Sequence, residues 1–94
     1  MVNIYLARCN GTEDYVLAYY DLNNDFNYMA GPLSDIKEAI DNIKLNELRF
    51  INMPLGLKSI FSKKANVDLI DIDNKLIERL ESRVSERTKM DSIS

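Results

Sequence analysis

The sequence predicts a small α+β domain: an antiparallel meander of two or three strands, plus one or two further strands, with about three helices packed on one face. Three observations carry this. Val2, Ile4 and Leu6 alternate with Asn3, Tyr5 and Ala7, the period of two that belongs to a strand. Ile36, Ala39, Ile40 and Ile43 recur at i, i+3, i+4 and i+7, the spacing of one helical face. The 94 residues hold no repeat, linker or low-complexity tract, so there is room for one core. The domain is expected over residues 1–89, with a frayed tail at 90–94.

The elements follow in order. After the first strand, Cys9 to Asp14 is polar and contains Asn10-Gly11, a pair that accepts positive φ, so the chain turns back into a second strand from Tyr15 to Leu22. Asp21, Asn23, Asn24 and Asp25 make another turn cluster, and Phe26 to Ala30 return as a third strand before Gly31-Pro32. Ser34 is the expected N-cap of the first helix, which carries the Ile36 stripe. Leu48 to Met53 reads as a strand stopped by Pro54, and Leu55 to Lys64 as a short helix bearing Leu57, Ile60 and Phe61. Val67 to Ile72 is a further strand. Asp73 or Asn74 then caps a last helix with Leu76, Ile77, Leu80 and Val84 as its apolar stripe.

Composition narrows the function. A chain this short buries only about 60 to 65% of its unfolded surface, so most of its 46% hydrophobic residues are needed for the core. A net charge of -3 argues against general wrapping of nucleic acid or anionic lipid. One cysteine excludes an intrachain disulfide and a thiolate metal cluster. With no signal-like start and no long apolar stretch, a cytoplasmic location is expected, and no membrane partner. Asn10-Gly11-Thr12 matches a glycosylation sequon, but a turn is the simpler reading.

Catalysis finds little support. There is no histidine, so Ser-His and Cys-His nucleophile activation are excluded. Asp68, Asp71 and Asp73 could form an acid-base pair but sit where carboxylates cap helices. Asp21-Leu22-Asn23-Asn24-Asp25 opens like a calcium loop, yet Phe26 occupies the glycine position and Pro32 the bidentate glutamate position. Cys9 has no activating partner other than the adjacent Arg8 and reads as an inert thiol. No enzyme, cofactor or metal is expected.

Two surfaces remain. All five tyrosines lie in the meander, within a 47-residue stretch that holds eight acids against three bases. Tyrosine presents a large apolar area with a polar tip, which suits protein interfaces. A non-enzymatic interaction module is therefore expected, binding a basic protein surface through Tyr15, Tyr19, Asp21, Asp25 and Tyr28. The alternative is nucleic-acid binding by the acid-free stretch 48–66, using Arg49, Lys58, Lys63 and Lys64 beside Phe50 and Phe61. Lys75, Arg79, Arg83 and Arg87 form a second basic ridge, which flanking glutamates mark as a solvent face. Usage rich in Asn, Ile and Lys suits an AT-rich genome, and a short chain of this kind suits a phage or mobile-element accessory protein that inhibits or regulates a host protein. Either a monomer or a homodimer is compatible with the sequence.

Overall fold

The computed structural model describes residues 1–45 and 47–93, with the backbone alone for 88–93. Its strands are β1 (Val2–Cys9), β2 (Asp14–Tyr20), β3 (Phe26–Pro32), β4 (Leu48–Asn52) and β5 (Leu69–Ile70), and its helices α1 (Leu33–Asn42), α2 (Leu55–Ala65) and α3 (Asn74–Ile93). The expected α+β class is what the chain adopts: one mixed sheet in the order β3-β2-β1-β4, with β5 also on β1.

The first three strands form the antiparallel meander. Gly11 stands at φ 83 in the first turn and Asn24 at φ 63 in the second, the left-handed positions where glycine and asparagine cost least. β1 is the central strand. Its other edge is shared, in parallel pairing with β4 from Val2 to Leu6 and in antiparallel pairing with β5 at Arg8 and Cys9. A strand so placed is covered on both faces, and apart from the exposed Asn3 and Arg8 both sets of its side chains are apolar or aromatic.

Those two sets belong to two cores. Val2, Ile4 and Leu6 pack with Leu17, Phe50, Ile36 and Ile40 of α1, and Leu80 and Val84 of α3. Ala7 and Cys9 face the other way, with Val16, Ala18, Met53 and Leu69, beneath Leu57 and Phe61 of α2. The expectation that all the helices share one face is corrected here for α2. The cause is β1, whose Tyr5, Ala7 and Cys9 need cover as much as its aliphatics do, and α2 supplies it.

Three smaller differences have local causes. β3 runs straight into α1, so Pro32 is the N-cap, with no side-chain hydrogen bond, and Ser34 falls inside the first turn. β5 is only two residues long, because β1 offers no more free edge beyond β4. Among the cap candidates of α3 it is the Asp73 Oδ1 that accepts the Lys75 N–H, at 2.9 Å. The tail expected at 90–94 falls on residues whose side chains, and for Ser94 the backbone, lie outside the described residues. No helix among the described residues is long and apolar enough to cross a membrane.

Candidate partner-binding surface

The alternation of β2 and β3 separates the tyrosines. Tyr15 and Tyr19 point to the α1–α3 side and pack against the main core, where they are half-buried. Tyr28 points the opposite way and is 66% exposed. The expected binding set is therefore split between the two faces, with Asp21 and Asp25 in the turn between β2 and β3. Asp21 is engaged there: its Oδ1 accepts the N–H groups of Asn23 and Asp25, both at 2.9 Å, and its Oδ2 accepts the Asn27 side-chain amide at 3.1 Å. These bonds, led by the one from Asp25, hold its carboxyl below the usual aspartate range.

What the fold assembles is an aromatic cluster on the α2 side. Tyr20 and Phe26 have ring centroids 5.0 Å apart, Phe26 and Tyr28 5.9 Å, and Phe61 of α2 closes the group at 6.1 Å from Phe26 and 5.5 Å from Tyr28. Such spacings bring offset and tilted ring contacts. Since α2 does not reach across the sheet to the outer edge of β3, a groove of about 320 Å³ opens between them, floored by Val16 and walled by Tyr28, Ala30, Leu57, Ile60 and Phe61, with Lys64 as its one charged lining residue. Ile60 stands 54% exposed at its rim. Contiguous exposed apolar side chains lining a concave surface are what interaction sites are built from. Tyr20, Phe26 and Ile60 are not in the binding set expected from the sequence, although the placement of Tyr20 opposite Tyr19 follows from the strand period.

The alternative set is dispersed. Lys58 is only 17% exposed along its side chain, and its Nζ lies 2.7 Å from the Asp71 Oδ1. Lys63 and Lys64 are exposed, roughly 140° and 240° around the helix from Lys58. Arg49 stands on β4, at the far side of the sheet from β3. The proposed stacking partners are separated as well: Phe50 is buried in the α1–α3 core while Phe61 belongs to the other face.

The remaining chemical candidates have structural employment. Asp68 accepts a hydrogen bond from the Asn10 amide, Asp71 pairs with Lys58, and Asp73 caps α3. Cys9 is buried, and burial, reinforced by Asp14 and opposed by a hydrogen bond with Thr12, pushes its thiol up, away from thiolate. Among the described residues, no three His, Cys, Asp or Glu side chains are grouped to hold a metal. A wider hollow of about 610 Å³ between α1 and α3 is walled by Lys37, Glu78, Arg79 and Glu86, alternating charges typical of a wet surface. Compared with known proteins, the chain matches no family model, no curated protein and no solved structure.

Proposed function

We propose that the protein is a non-enzymatic interaction module that binds another protein through the groove between α2 and β3. The observation that carries this reading is the exposed aromatic cluster: Tyr20, Phe26 and Tyr28 remain in contact with solvent although the same chain buries Phe50 to 3% exposure. Large aromatic side chains lining a concave apolar surface are the composition of an interface anchor site. From Cys9 to Ile36 the chain carries five acids, Glu13, Asp14, Asp21, Asp25 and Asp35, and no base. Lys64 is the one charged residue lining the groove, while Asp21 and Asp25 stand at one end of β3 and Asp14 and Asp35 at the other. Acidic groups at both ends of β3 favour a basic partner, and an inhibitor that covers a basic site on a host protein is the form of the reading this charge suits.

A tagged pull-down tests the proposal, comparing the native chain with the double variant Phe26→Ser, Tyr28→Ser after nuclease treatment. The expected result is a stoichiometric protein retained by the native chain and lost by the variant. Retention by both chains, or recovery of nucleic acid that disappears with nuclease, overturns it.

A further inference from the structure

The groove is bounded on one side by β3, which is an edge strand of unusual character. Natural edge strands are commonly blunted by lysine, by other charged side chains or by proline. β4, at the other edge of the sheet, carries Arg49. β3 reads Phe-Asn-Tyr-Met-Ala-Gly-Pro over seven residues and holds no charge, and its one proline stands at its last position, leaving Phe26 to Gly31 without such a device.

Its free backbone groups can be assigned. The Asp21 N–H donates to the Asp25 carbonyl at 3.0 Å, which makes these residues a hydrogen-bonded pair. Opposed residues in an antiparallel ladder alternate between bonded and non-bonded pairs. By the register Tyr19↔Asn27, Leu17↔Met29 and Tyr15↔Gly31, those three β3 residues bond to β2. The N–H and C=O groups of Phe26, Tyr28 and Ala30 then point away from the sheet. Pro32, which has no N–H to donate, occupies the same parity, where none is required by β2.

We infer that β3 accepts an additional β-strand from the protein partner, an extended segment in which apolar side chains alternate with basic ones. The inference rests on the groove being the binding surface and specifies how that surface is used. Segment residues opposite Phe26, Tyr28 and Ala30 share their face, so their side chains enter the aromatic groove. Residues opposite Asn27 and Gly31 face the α1 side. Asp21 bonds the Asn27 side chain at one end of that side, and at the other end the Asp35 carboxylate lies 3.1 Å from where a Cβ on Gly31 would stand. Neither carboxylate has a cation within salt-bridge distance among the described residues. Lysine or arginine at those two segment positions, four residues apart, meets both.

The same charges disfavour a second copy of the chain as the occupant. Antiparallel pairing of two β3 strands sets the Asp21 and Asp25 turn of one against the Asp14 and Asp35 end of the other. Parallel pairing sets like turn against like turn. In both arrangements carboxylates oppose carboxylates.

Panning a random dodecapeptide library against the native chain tests the inference. Enriched segments are expected to alternate apolar residues with Lys or Arg. With the best segment bound, the amides of Tyr28 and Ala30 should become protected from hydrogen exchange. Affinity should fall at least about tenfold in Ala30→Pro, which removes an edge-facing N–H, once a thermal melt shows the variant folded. Should that variant unfold, N-methylation of the segment supplies the test: methyl groups on alternate amides abolish binding in one register and spare it in the other. Binding lost in Tyr28→Ser but indifferent to Ala30→Pro and to N-methylation overturns strand addition and leaves the groove as the binding surface. Enriched segments bound equally by the native chain and by Phe26→Ser, Tyr28→Ser, or no enrichment at all, overturn both. Acidic or helically spaced segments, or a dimer of the chain that Ala30→Pro dissolves, overturn the proposed occupant.

Discussion

The Arg87 guanidinium donates to four backbone carbonyls, those of Ile40, Asp41, Ile43 and Leu45, at 2.7 to 3.4 Å. These carbonyls end α1 and begin its exit loop, where a helix leaves acceptors without partners and its dipole is negative. One planar side chain thus closes a helix belonging to another part of the chain. Replacing Arg87 by Ala is expected to cost about 2 kcal/mol, read as a lower midpoint in thermal or urea unfolding. Lysine should recover only part of the loss, since a point charge cannot reach four acceptors in a fork. In the sequence Arg87 follows Arg83 by four residues and looks like the solvent ridge of a charged helix. That spacing reports which residues are neighbours on α3 and nothing about what α3 lies against.

For a strand the parity of each residue decides its role, and β3 provides a test internal to one element. Met29 bonds to β2 while Ala30 faces the free edge, so proline at these adjacent positions should have opposite outcomes. Met29→Pro removes a ladder bond and a side chain packed on the main core, and is expected to abolish cooperative unfolding of the native sheet. Ala30→Pro should keep a native-like circular dichroism spectrum and a melting midpoint close to that of the native chain. Equal loss in both variants would show that the assigned parity is wrong. The alternation in β1 and the helical stripe in α1 were legible because side-chain period is a property of the element itself. The two-residue length of β5 was not, because it is set by how much of the edge of β1 is left beyond β4.

Across the whole molecule, the face bearing α1 and α3 is tied by charge as well as by apolar packing. Arg83 donates to Asp41 twice, at 2.9 and 2.7 Å, and this bond is the largest influence holding the Asp41 carboxyl below the usual aspartate range. Asp21 is shifted in the same direction by its turn. A carboxyl whose pKa is lower folded than unfolded adds stability that is complete above the unfolded value and disappears as pH falls through the folded one. With no histidine in the chain, stability should stay nearly level between about pH 5 and 8 and decline only below the ordinary aspartate range. Asp41→Asn should make that acid decline shallower in pH-dependent urea unfolding. A decline beginning near neutrality would contradict the assignment.

The sequence by itself determined the class of the fold, the order of its elements and the opposition of Tyr19 and Tyr20, because all three follow from local period, turn residues and chain length. The same period, carried on from Val2, Ile4 and Leu6, puts Cys9 opposite those aliphatics, as observed. Only the tertiary structure decided that α2 crosses to the second face, that Phe50 and Phe61 are kept apart, and that Tyr15 and Tyr19 turn to the core while Tyr28 joins Phe26 and Phe61 at the groove. A period tells each side chain which face of its own element it occupies. What covers that face is settled by the packing of segments distant in the chain: β1 has two apolar faces, α1 and α3 together fill one, and α2 alone leaves part of the other open.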